Sequence, residues 1–180
     1  MNGSTMCMET SKDFISGGIT DEEKQAIVDL HNKYRRETNA TDISMLVWDE
    51  AIAAVAQKWA ETCIFAHDKE RSVASLPGIY INQKGAGGFY NLVGATAAWY
   101  SEIHNFEYGK GMKNENGSVV GHYTQVVHHR AMRIGCGFAI CKGGWGRIGL
   151  LGFVLSFIMS STMSSLSLYH FIYLFCVTNY

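Results

Sequence analysis

Charge runs out of this chain before the chain does: after Arg147 there is no Asp, Glu, Lys or Arg in residues 148 to 180. A basic excess is missing too. Lys and Arg number 15 against 16 for Asp and Glu, giving a net charge of -1, a pI near 6.6 and no Lys/Arg run interleaved with aromatics. Such a chain has no field to gather a phosphate backbone, which excludes nucleic acid as a partner. No Cys-x-x-Cys pair occurs, and no Gly-x-Ser-x-Gly elbow sets up a serine nucleophile. Residues 1 to 19 lack the apolar core of a secretory leader. Pro77 is the single proline, and with several glycines it breaks any helix between Ser72 and Gly88.

What is present suits one globular core, since single domains usually run to about 100–200 residues. Residues 1–19 are small, polar and glycine-punctuated, and are expected to be a flexible segment. Thr20-Asp21-Glu22-Glu23 is a capping box that should open the first helix, with Ala26, Ile27, Leu30 and Tyr34 at helical spacing and Lys33, Arg35, Arg36 and Glu37 mostly on the wet side. Ile52, Val55, Ala56, Trp59, Ala60 and Cys63 mark a second amphipathic helix expected to pack on a sheet. A short β-like piece stands at Ile79–Ile81. A third helix should run from about Asn91 to Phe106, with Leu92, Ala95, Trp99, Ile103 and Phe106 inward and Glu102 beside them. Gly121–Val127 reads as a short helix or turn. Ile134–Cys141 alternates large with small or thiol residues and reads as a strand entering a hairpin.

The five cysteines are Cys7, Cys63, Cys136, Cys141 and Cys176, an odd number that leaves at least one without an internal partner. A staple from Cys136 or Cys141 to the Cys63 helix would place the chain in an oxidising compartment. Sequons at Asn2, Asn39 and Asn116 agree with secretion. Cys63, on an apolar stripe, suits a buried or bridged role better than that of a nucleophile.

Four stretches, LVWDEAIAAVAQKWAETCIFAHD (46–68), AAWYSEIHNFEYG (97–109), GHYTQVV (121–127) and IGCGFAIC (134–141), together with TDEEKQAIVDLHNKYRRE from Thr20, resemble the CAP superfamily of cysteine-rich secretory and venom-allergen-like proteins. Their texture is nearest to that of the parasitic-worm members. The resemblance implies an α+β fold, a three-layer α-β-α sandwich over residues 20–141, with residues 142–180 left as an atypical apolar tail. It also implies a cleft lined by two histidines and two glutamates: His67 matches the first histidine, Glu102 the second glutamate and His122 the second histidine. The first glutamate is missing, because an isoleucine occupies its place in Gly78-Ile79-Tyr80-Ile81-Asn82-Gln83. His128 replaces a common tryptophan, and Val120 a common cysteine.

Two neutral imidazoles and an orienting carboxylate could hold a divalent ion such as zinc, yet stable zinc sites take three or four protein ligands. The expectation is therefore no required cofactor and at most a weakly bound metal. Spacing alone equally allows His67 and His122 to be hydrogen-bonding cleft residues, and leaves Tyr123, Thr124 and Gln125 open between packing and cleft lining. The resemblance implies an extracellular, non-enzymatic protein that binds a sterol, a fatty acid or a host or extracellular protein. The alternatives are a metal-dependent hydrolase using His67, His122 and Glu102, or a non-functional truncated isoform. Residues 148–180 have the length of a membrane anchor, but the central SSTMSSLS interrupts the apolar run and the insert also reads as translated intron.

Overall fold

The computed structural model describes residues 5–64, 80–84, 92–113, 119–142 and 150–159. A single 3-10 turn, Thr5–Cys7, leads into β1 (Phe14–Gly17) and α1 (Asp21–Glu37). Then come β2 (Val47–Trp48), α2 (Glu50–Glu61), β3 (Tyr80–Lys84) and α3 (Leu92–Ser101). After a 3-10 turn at Glu102–Asn105 follow β4 (Phe106–Glu107), β5 (Gly111–Met112), α4 (Gly121–Val126), β6 (Ala131–Cys141) and β7 (Leu150–Met159). The main sheet runs β1-β6-β7-β3, antiparallel throughout, with β2 added parallel to the other end of β6 at Arg133 and Ile134. β4 and β5 form a separate small hairpin.

The alternation read in Ile134–Cys141 makes β6 two-faced. Ile134, Cys136, Phe138 and Ile140 join Ile27, Val28 and Tyr34 of α1, Leu92, Ala95, Trp99 and Tyr100 of α3, and Val126 of α4 in one apolar cluster. Gly135, Gly137, Ala139 and Cys141 turn the other way, toward α2. There a Cβ on Gly135 would lie 2.8 Å from the Cα of Ala53, and one on Gly137 would overlap the Ala56 backbone. The helix thus lies directly on the strand, which only glycines under it permit. The result is an α-β-α sandwich, with α2 on one face and α1, α3 and α4 on the other. Asp49 fixes the start of α2: its Oδ1 accepts from the Ile52 amide at 3.0 Å while its Oδ2 accepts from Arg133 Nη1 of β6 at 2.7 Å. At the far end a disulfide joins Cys63 to Cys141.

The capping box forms as expected, Thr20 Oγ1 accepting from the Glu23 amide at 3.2 Å and Glu23 Oε2 from the Thr20 amide at 2.8 Å. Other expectations are corrected. Cys63 lies beyond α2, at φ 55°. The third helix stops at Ser101, whose hydroxyl donates to the Ala98 carbonyl at 2.7 Å, a back-bond that competes with continued α-helix. Phe14–Gly17, expected to be flexible, pairs with β6, and Met8 packs on Ala56 and Trp59. A short segment that completes a sheet edge gains ladder hydrogen bonds that composition does not reveal. Within the expected tail, Leu150–Met159 is a central strand, paired to β6 and β3. No helix among the described residues is long and apolar enough to cross a membrane; residues 160–180 lie outside the described residues.

Arg35 is the largest correction, because it is not on the wet side but wholly buried. Ile27, His31 and Arg35 recur every fourth residue on one inward stripe of α1. Arg35 Nε donates to the Ser44 carbonyl at 2.8 Å, and Nη2 donates to the same oxygen; Nη1 donates to the Val126 and His128 carbonyls, both at 2.9 Å, and Nη2 to the Ala131 carbonyl at 2.9 Å. Among the described residues no carboxylate pairs with it. Burial lowers its pKa to about 10, so the group stays charged at neutral pH, and its partners among the described residues are carbonyl dipoles.

Two stability outcomes follow from this packing. Arg35→Lys cannot reproduce the planar fork, and loss of charge-assisted bonds worth about 1.5–3 kcal/mol each should show as a drop of at least about 2 kcal/mol in urea unfolding. Gly135→Ala should cost about 1–3 kcal/mol or more through overpacking; an unchanged midpoint would mean that α2 does not rest on β6.

Candidate functional site

α4 has six residues, too short to sustain itself in isolation. Its preceding residue, Val120, offers no side-chain cap. Glu102, on the 3-10 turn after α3, fills that role from a distance in sequence: Oε2 accepts from the His122 amide at 2.8 Å and the Tyr123 amide at 3.1 Å, and Oε1 receives the His122 ring through Nδ1. A carboxylate here also meets the positive end of the short helix. Burial would push the Glu102 carboxyl up, but the bonds from the His122 ring and the two amides outweigh it and hold the group below its ordinary 4.5. A carboxylate only accepts, so Nδ1 of His122 must carry the hydrogen.

The His122 ring also lies nearly parallel to Trp99 of α3, with centroids 6.2 Å apart and 9° between planes. Alongside runs a second aromatic series: Tyr34 of α1 stacks on Tyr100 at 3.9 Å, Tyr100 meets Tyr123 at 5.6 Å, and Tyr123 meets Phe106 at 5.0 Å. Such rings fix one another's orientation. Burial first, then the charge and hydrogen bond of Glu37, raises the Tyr100 pKa to about 12, so this phenol stays protonated at neutral pH. Tyr34 and Tyr123 are raised as well, chiefly by burial.

Of the three expected site residues, then, the structure brings Glu102 and His122 into contact; His67 lies outside the described residues, as does the Gly78–Ile79 segment. Tyr123 and Gln125 are buried and so belong to the packing, while Thr124 donates to the Gly121 carbonyl at 3.0 Å. The tyrosine series was not foreseen. Tyr34 stood on the inward stripe of α1, but nothing in its spacing indicated Tyr100 or Tyr123 as neighbours sixty or more residues away.

The donor set near His122 fits a stably held metal poorly. Both Glu102 oxygens are engaged, Nδ1 of His122 is engaged, and among the described residues no group of three or more His, Cys, Asp and Glu converges. Glu102 orients the His122 ring through Nδ1 in the manner that carboxylates orient ligating imidazoles.

The relatives agree with this fold. The CAP family model, described as the cysteine-rich secretory protein family, matches residues 28–159. The chain is 38% identical over 151 residues to venom allergen 5 2 of Polybia paulista, covering 74% of this chain and 72% of the relative. In structure it resembles venom allergen-like protein 4 of Schistosoma mansoni, with a TM-score of 0.59, 21% identity, 77% of this chain and 88% of that one covered. It also resembles NaASP2, solved with Zn2+, with a TM-score of 0.56, 21% identity, 81% and 83% covered.

Glu102 sets a clear stability signature. Its lowered folded pKa means that its contribution is complete above about 4.5 and is lost as pH falls through and below that value. Glu102→Gln should flatten that part of the acid unfolding curve. Glu102→Ala, which strands two amides and the ring, should cost at least about 2 kcal/mol at pH 7; equal acid limbs in wild type and Glu102→Gln would remove the cap from the account.

Proposed function

Since the chain belongs to the cysteine-rich secretory protein family, we propose that it is an extracellular binding protein without turnover, whose CAP sandwich offers the wall built on His122 and Glu102 to a sterol, a fatty acid or an extracellular protein. One observation carries the reading: both carboxylate oxygens of Glu102 and one ring nitrogen of His122 are committed to holding α4 and its ring in place. A general acid or base must exchange its proton with substrate, whereas Glu102 caps the helix with Oε2 and holds the His122 ring with Oε1, and so acts by holding shape. The names of the family relatives and the Cys63–Cys141 bridge support the extracellular setting.

The experiment is a panel of labelled sterols and fatty acids titrated against the full chain, run beside capture of extracellular proteins on the immobilised chain. Saturable binding of one class, weakened several-fold by His122→Ala, is the expected result. No saturable ligand and no captured partner would reject the proposal.

A second reading rests on the orientation of His122, whose Nδ1–carboxylate contact is the arrangement that readies an imidazole for a metal. In it, His67 and His122 would together hold a zinc ion weakly, and Lewis-acid polarisation of a carbonyl is the chemistry such an ion would supply. Calorimetric zinc titration tests it. The His67→Ala/His122→Ala double variant should lose both the heat of binding and any zinc-dependent hydrolysis, and unchanged hydrolysis would rule out this site as its source.

A further inference from the structure

We infer that Asn39 is an acceptor for an N-linked glycan, its side-chain Nδ2 bonded to the first sugar of an oligosaccharide taken from a lipid diphosphate donor. The inference rests on the extracellular reading above, because the donor belongs to the secretory route. In the transfer, Nδ2 attacks the anomeric carbon. The C–N bond forms, the bond from that carbon to the diphosphate oxygen breaks, the lipid diphosphate departs with the electron pair, and the amide nitrogen gives up one proton.

Of the three sequons, Asn2 and Asn116 lie outside the described residues, whereas Asn39-Ala40-Thr41 stands complete on the turn that leaves α1. Asn39, Ala40, Thr41 and the following Asp42 are all exposed. Asn39 has φ 55°, and its amide donates to the Arg36 carbonyl at 3.1 Å. A helix end accounts for an asparagine in that backbone conformation, since Asn tolerates it better than most residues. It does not account for Thr41, whose side chain makes no hydrogen bond among the described residues. Nor is the acceptor nitrogen tied down: Nδ2 of Asn39 reaches only the Glu37 carbonyl, at 3.5 Å, the outer limit of a hydrogen bond. A glycan there would displace nothing that the fold relies on.

The test expresses the full chain behind an added leader in a eukaryotic secretory host. Wild type, Asn39→Gln, Thr41→Ala and Thr41→Ser are compared by gel mobility before and after an amidase that removes N-glycans, and by mass mapping of the peptide holding residue 39. Wild type and Thr41→Ser should carry the glycan, and the amidase should leave Asp at position 39; Asn39→Gln and Thr41→Ala should both lose that part of the mobility shift. An unmodified Asn39 in material whose Cys63–Cys141 bridge has formed would overturn the inference, because the bridge reports passage through the oxidising compartment. Glycan confined to Asn2 or Asn116 would overturn it equally. The extracellular reading is judged separately, on the chain from its native source: reduced cysteines there would sink that reading while the leader-routed protein still decides the acceptor.

Discussion

How near α2 can come to β6 governs the rest of this molecule. Gly135 and Gly137 leave no side chain between the strand and the helix backbone, and Ala139 and Cys141 continue the low face. With the small residues gathered on one side, Ile134, Cys136, Phe138 and Ile140 are all available to the opposite layer. One strand thereby serves two interfaces of different thickness. Asp49 and the Cys63–Cys141 bridge then tie α2 to β6 at both of its ends.

The same logic of fixing an element at its ends applies to α4, which is too short to depend on its own hydrogen bonds. Arg35 collects the Val126 carbonyl at its finish and the His128 carbonyl just beyond, and Glu102 meets the His122 and Tyr123 amides at its start. The two charges match the polarity of the helix, negative at its start and positive at its finish. Because His122 is the second residue of α4 and is gripped by the residue that caps it, the ring's position follows from the fold and needs no bound ion.

Much of the frame was legible in the sequence because it is locally encoded. The capping box at Thr20, the apolar stripe of α2 and the period-two alternation of β6 each declare themselves within a dozen residues, while the family resemblance implied no more than that Glu102 and His122 line one cleft. Arg35 was misjudged since an isolated charge is ordinarily solvated; its place four residues after His31 and eight after Ile27 was the available signal. Phe14–Gly17 and Leu150–Met159 were misassigned for another reason. Each is held by pairing with β6, a non-local interaction to which composition is blind. The tyrosine series likewise joins α1, α3 and α4, elements whose adjacency only the closed fold creates.

The central claim is that Glu102 holds His122 as a fixed wall element, which sets the position of a single hydrogen. Long-range nitrogen–proton NMR of the His122 ring in the folded protein near neutral pH reads that position directly. The account predicts a hydrogen resident on Nδ1. A bare Nδ1 with the hydrogen on Nε2 would contradict it.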